Sequence, residues 1–222
     1  MPSSKMDHMI SHLQGAFETD RLVFLPIEDE AQVKAFIYRE FFLDPVNAGL
    51  AGLPGHATLQ LCPQERARDM INGYVNGAHM ATIICLKSRQ ESEDPQASAD
   101  SIYSDDPPKP KLIGQLLLND KGYSRVSISI SIASEHQNKG YGREAINWAL
   151  EWAFRWGAMN RVDINAASYN ERAVMLYQSI GFVEEGIIRK ALFMNGEFHN
   201  IHEFGILAGE WWALQRAQAD SE

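Results

Sequence analysis

The segment Val126 to Ile132 (VSISISI) alternates an aliphatic residue with serine without a break. Successive side chains of a strand point to opposite faces, so Val126, Ile128, Ile130 and Ile132 share one face and the serines the other. This strand runs through Glu135 to Gly142 (EHQNKGYG) into a helical run, Gly142 to Trp156. There Ala145, Ile146, Ala149, Leu150, Ala153 and Phe154 form one apolar stripe, and Gly157 closes the helix. A strand, a glycine-bearing turn and an amphipathic helix in direct succession commit the chain to packing helices on a sheet.

The remaining pattern extends that sheet. Arg21 to Pro26 reads as a first strand, Ala81 to Leu86 and Leu112 to Leu118 as a hairpin pair, and Arg161 to Ala166 as a further strand. Helical spacing covers Glu28 to Phe42, and a helix begins at Pro63 and ends at Gly77. Asp44 to His56, rich in glycine and proline, reads as a loop with at most a short helical turn. Asn170 suits the N-cap of a helix that stops at Gly181, and Asn195-Gly196 suits a type I′ hairpin turn between two last strands. Trp148, Trp152 and Trp156, four apart, are expected on one helix face as packing residues. The expected domain is 17–210, between an N-terminal tail 1–16, loose or in a short helix, and a C-terminal tail 211–222. Residues 88–110 form an acidic, proline-rich insertion that has almost no core formers, and we expect it to be mobile, with a lid over the substrate as the sharper alternative.

Composition narrows the function. The formal net charge of −9 argues against nucleic acid and anionic membranes and for cationic ligands. Cys62 and Cys85 are the two cysteines, and their spacing suggests neither a disulfide framework nor a metal site. No run approaches the ~20 apolar residues of a membrane span, and the first residues lack a signal-peptide core, so a cytoplasmic location is the expectation. Nothing in the sequence assigns an oligomeric state.

The chemistry concentrates in Gln137-Asn138-Lys139-Gly140-Tyr141-Gly142. Glycines at 140 and 142 let backbone N–H groups approach a ligand, and the helix that follows presents its positive end. A pyrophosphate suits that arrangement, with Lys139 and Arg143 adding charge. Downstream, Asn170, Ala173, Tyr177, Gly181 and Phe182 read N-x-x-A-x-x-x-Y-x-x-x-G-F.

With these two motifs in order, the chain resembles the GNAT acetyltransferase superfamily, and within it the ribosomal-protein alanine acetyltransferase branch. The early TDRLVFL stretch and the segment Arg189 to Leu207 carry the same likeness. The resemblance implies an α/β fold with a mixed, mostly antiparallel sheet flanked by helices and splayed at the cofactor site. It implies acetyl-CoA as cofactor: Gln137 to Arg143 on the pyrophosphate, Ile130, Ser131 and Ile132 pairing with the pantetheine arm, Asn170 in contact, and Tyr177 beside the sulfur as the donor to the leaving thiolate. The acceptor would be a primary amine, either a protein N-terminus or a small molecule. Relatives often carry Glu where this chain has Ser127, so the general base stays open among Glu203, His202, His199 and water. A catalytically silent acyl-CoA sensor or scaffold is the rival expectation. With neither cysteine near the motifs in sequence, direct transfer without a covalent enzyme intermediate is expected.

Overall fold

The computed structural model describes residues 5–28, 31–50, 61–87 and 110–220, so the insertion expected over 88–110 lies outside the described residues up to 109. Helix α1 (Lys5–Gln14) leads to strand β1 (Leu22–Pro26), helix α2 (Ala31–Ile37), a π-helical segment Tyr38–Leu43, and helices α3 (Pro45–Leu50) and α4 (Gln64–Gly77). Strands β2 (Ala78–Leu86), β3 (Lys111–Asp120) and β4 (Arg125–Ile132) follow, then a 3-10 turn, Ser134–His136. Helix α5 (Tyr141–Glu151) continues as a π-helical segment Trp152–Trp156. Strand β5 (Arg161–Ala167), helix α6 (Glu171–Ile180), strands β6 (Val183–Met194) and β7 (Glu197–Leu207), and helix α7 (Ala208–Ala219) complete the chain.

The strands form one sheet in the order β1-β2-β3-β4-β5-β7-β6. Neighbours are antiparallel except β4 and β5, which run parallel and pair only through Arg125↔Arg161, Val126↔Val162 and Ser127↔Asp163. Beyond Ser127 the two strands part. That divergence is the splay expected of the fold, and it leaves one edge of β4 without a strand partner.

Each sheet face has its own core. The aliphatic face of β4 packs with Ile146, Ala149 and Leu150 of α5 and with Phe204 and Ile206 of β7. On the opposite face Val33, Phe36 and Ile37 of α2 and Ile71 of α4 cover Ile83 and Cys85. Burying side chains of this size stabilises a fold by roughly 1.5–3 kcal/mol each before chain entropy is counted.

Two expectations need correction. The stretch taken as a tail from 211 is helical, because α7 buries Trp211 beside Phe154 (ring centroids 6.5 Å apart). Leu214 closes on the turn after α6, where a Cβ on Gly181 would come within 2.4 Å of it. Residues 5–14 are helical, the short-helix alternative expected for the N-terminal segment. The three tryptophans do not share one environment either. Trp148 is buried and stacks on Phe24 at 3.6 Å, whereas Trp156 is 38% exposed. The helix widens into a π turn at Trp152, and that change of period rotates Trp156 off the apolar stripe. The hairpin turn is as expected, with positive φ at both Asn195 and Gly196.

Candidate active site

The free edge of β4 is the first component. Ala133 N donates to Ile113 O on the β3 side at 2.8 Å. Backbone groups alternate in direction along a strand, so the N–H and C=O of Ile130 and Ile132 turn to the side that β5 has left. Gln137 Nε2 meets the Ile132 carbonyl there at 3.0 Å. The N–H groups of Ile130 and Ile132 are thereby aimed into the cleft.

The loop after β4 is the second component. Gly140 precedes α5 in the left-handed region (φ 84°), and Asn138 also has positive φ, which asparagine tolerates best after glycine. Gly142 has no such need. A Cβ there would meet only Leu176, at an ordinary 3.9 Å, and the position faces a cavity. The structural requirement for glycine is therefore confined to Gly140, and Gly142 leaves open space at the helix N-terminus.

Charge gathers around the loop from three elements. Arg143 Nη2 donates to Ser179 Oγ at 2.6 Å, and Lys139 Nζ to Glu135 O at 2.8 Å. Arg172, which belongs to neither sequence motif, donates to Asn138 Oδ1 at 2.7 Å. Its signal was a cation in the first turn of α6, the end where a helix dipole disfavours one unless an anion is shared. Asn170 caps α6 by accepting from Ala173 N at 3.3 Å, and its amide Nδ2 reaches Leu50 O of α3 at 3.4 Å. Buried Asn47, also of α3, accepts from Gln137 Nε2 at 2.7 Å.

These parts line one cavity of about 1040 Å³ that reaches both faces of β4. One half holds Ile130, Ile132, Gln137, Asn138 and Gly140 to Arg143 of the loop, and Asn170, Arg172 and Tyr177 of the α6 region, whereas Lys139, turned onto Glu135 O, does not line it. Tyr177 packs edge-on against Phe204 (5.9 Å), and burial pushes its hydroxyl pKa up to about 12. The other half is walled by Phe41, Phe42, Ile71, Tyr74 and Val75, over a floor of Gln115, Asn119, Ser127, Ser129 and Ser131. Asn119 Nδ2 donates to Ser129 Oγ at 2.9 Å, which orders that floor.

The base candidates sit elsewhere. His202 lies 3.3 Å from Glu184 Oε1 and stacks on Phe204; Glu203 is exposed; His199 packs edge-on against Tyr169 at 4.8 Å. None of these three lines the cavity. Asp163, opposite Ser127, is bound by Arg125 and by Arg161 (2.7 Å). Among the described lining residues there is no Asp or Glu; Lys121 and His136 line the wall, and Glu135 Oε1 comes within 2.7 Å of the buried His136 ring. Cys62, remote from the motifs in sequence, is brought to the cavity wall ahead of α4, while Cys85 is buried and its thiol pKa is raised to about 11 by desolvation.

Comparison with known proteins agrees with this architecture. Residues 79–182 match the Acetyltransferase (GNAT) family. Over 102 residues the chain is 36% identical to a spermidine N(1)-acetyltransferase of Vibrio cholerae, spanning 45% of this chain and 59% of that protein. A putative ribosomal N-acetyltransferase of Bacillus subtilis, YdaF, is 34% identical over 102 residues, 45% of this chain and 56% of its own. The matches thus span little more than half of those relatives' length. The crystal structure of spermidine N-acetyltransferase from Vibrio cholerae in complex with CoA and spermine superposes with a TM-score of 0.67 at 22% identity, covering 87% of this chain and 99% of that one. An acetyltransferase of the GNAT family from Bacillus anthracis superposes with a TM-score of 0.65 at 16% identity and the same coverage. At these identities the superpositions speak for the fold. Residues 79–182 are thus similar to the GNAT acetyltransferase family, and the fold of the chain is that of the GNAT structures. Among the described residues no helix is long and apolar enough to cross a membrane.

Proposed function

We propose that this chain is an acetyl-CoA-dependent N-acetyltransferase that acylates a primary amine directly, and that the amine is an α-amine. One observation carries the reading: the open edge of β4 meets the N-terminus of α5 inside a cavity that continues to the other sheet face. The donor set fits acetyl-CoA. Ile130 and Ile132 offer strand-like N–H groups to an amide-bearing arm. The bare Cα of Gly142, the N–H groups of the α5 start, and Arg143 and Arg172 suit a pyrophosphate. Asn170 stands on the same wall. When bound, acetyl-CoA supplies the acetyl group as an activated thioester.

The residues then divide the work. A backbone N–H of the β4 edge stabilises charge developing on the acyl oxygen. Tyr177 keeps its proton at neutral pH, and a protonated phenol can give a hydrogen bond or proton to the departing sulfur. The incoming amine must lose a proton, and among the described lining residues there is no carboxylate to take it. An α-amine titrates near ~7.7–8.0 and so is substantially neutral around pH 7.5, whereas a lysine-like alkyl amine near ~10.4 is almost wholly protonated. A polycation would also meet Lys121, Arg143 and Arg172 with no opposing carboxylate among the described lining residues. The acidic surface led to the opposite expectation, but net charge is a property of the whole exterior and not of this cavity.

Acetyl-CoA turnover should be measured with a short peptide bearing a free α-amine, the same peptide with that amine blocked, and spermidine. The free peptide should react, and the blocked one should not. Preferred reaction of spermidine would contradict the α-amine assignment. CoA binding without turnover of any amine would make the chain the silent acyl-CoA binder.

A further inference from the structure

Arg21, just ahead of β1, is bound to the start of α5 through four of its groups. Its Nε donates to Glu144 Oε2 at 2.7 Å, its Nη2 lies 2.6 Å from the same oxygen, and its backbone N donates to Glu144 Oε1 at 3.0 Å. Its Nη1 donates to Lys139 O at 3.0 Å. The guanidinium lies 4.7 Å above the Tyr141 ring, and a Cβ on Gly140 would come within 3.2 Å of Nη2. Thr19 completes the cluster, donating to Glu144 Oε1 at 2.6 Å and accepting from Leu22 N at 3.1 Å. Arg21 itself is not part of the cavity lining.

Two consequences follow from the chemistry. In a trans peptide the C=O and N–H point in opposite directions. With the Lys139 carbonyl fixed on Arg21, the N–H of Gly140 is turned away from Arg21, and Gly140 lines the cavity on its other side. Glu144 also needs neutralising, because it places a carboxylate in the first turn of the helix whose N-terminus would hold the pyrophosphate. Burial acts to raise its pKa, but hydrogen bonds from Thr19 and Arg21 and the Arg21 charge outweigh that and hold it below the ordinary value. Glu144 is therefore ionised, and its charge is spent on Arg21.

We infer that Arg21 is a positioning residue for the pyrophosphate loop: from outside the cavity it orients the Gly140 N–H and cancels the Glu144 charge. The inference rests on the cofactor reading above. It predicts a defect confined to the pyrophosphate end of the ligand, which general loss of folding would not produce.

The test compares acetyl-CoA with S-acetylpantetheine, which lacks the pyrophosphate and the nucleotide. Arg21→Met should raise the KM for acetyl-CoA about ten-fold while kcat and the amine KM stay within about two-fold, as expected for loss of uniform binding. S-acetylpantetheine should lose little, so the preference of the enzyme for acetyl-CoA over it should shrink by about the same ten-fold factor. Arg21→Lys restores a charge beside Glu144 without the planar fork and should recover part of the loss. An unchanged KM for acetyl-CoA, or an equal loss with both donors, would overturn the inference. Should Arg21→Met not fold, Arg21→Lys and Arg21→Gln carry the same comparison. Failure of the cofactor reading would look different: Gly142→Val would keep wild-type CoA affinity whatever Arg21 did.

Discussion

The two halves of the cavity are built on different principles. The half around β4, α5 and α6 is made of backbone: a free strand edge, a left-handed glycine and the positive end of a helix. The half facing α2, α3 and α4 is made of side chains, aromatic and aliphatic walls over a floor of amides and hydroxyls. The family match at 79–182 takes in the whole first half but stops short of α2, α3 and α4. Backbone geometry is tolerant of sequence, so it can be shared among distant chains. Walls made of side chains change with each substitution, and there specificity can diverge on a constant frame.

If that division holds, substitutions should separate by ligand. The largest effect belongs to Tyr177→Phe, which removes the donor and keeps the ring against Phe204: kcat should fall roughly ten- to a thousand-fold with CoA affinity little changed. A wild-type kcat in the folded variant would leave Tyr177 a packing residue only. The same hydroxyl gives a stability signature. Its folded pKa is raised to about 12, so its contribution is fully present below the unfolded value near 10 and is lost as pH rises through about 12. Thermal unfolding of Tyr177→Phe should lack this part of the alkaline decline.

Next come the glycines, which should separate from one another. Gly140→Ala forces a side chain into the left-handed region, so the melting temperature should fall along with CoA affinity, the strain being of order 1–3 kcal/mol. Gly142→Ala should leave the melting temperature unchanged and weaken CoA several-fold, because its Cβ meets ligand and not protein. Calorimetry showing unaltered affinity in a folded Gly142 variant would remove the pyrophosphate from this loop.

On the other half, Tyr74→Ala should raise the KM for the amine several-fold and leave CoA binding alone, as befits a residue that touches one substrate. Equal losses for both ligands would erase the proposed boundary. The smallest effect is expected at Cys62. Direct transfer needs no thiol, so Cys62→Ala should keep kcat within about two-fold although the residue lines the cavity. Abolished turnover would demand a covalent step.

How far the sequence could be read follows the same division. VSISISI, the glycine loop, the α6 cap at Asn170 and the I′ turn at Asn195-Gly196 are local signals, and each appears in the structure where its residues placed it. What escaped was non-local. Glu203, His202 and His199 were chosen for chemistry near the last hairpin, but the alternation of β7 and the packing on Phe204 and Tyr169 keep them out of the cavity lining. Arg172 and Cys62 reach the cavity through helix placement that spacing alone does not encode. Helix α7 was missed because its stability comes from burying Trp211 and seating Leu214 over Gly181, non-local contacts that the segment's own spacing does not specify.

Amide hydrogen exchange with and without CoA tests the central claim most directly, that the open edge of β4 and the start of α5 hold the cofactor. With CoA bound, exchange should slow at Ile130, Ile132 and Gly140 to Arg143, with the β6–β7 hairpin unaffected. Protection that left those amides unchanged and fell elsewhere would contradict it.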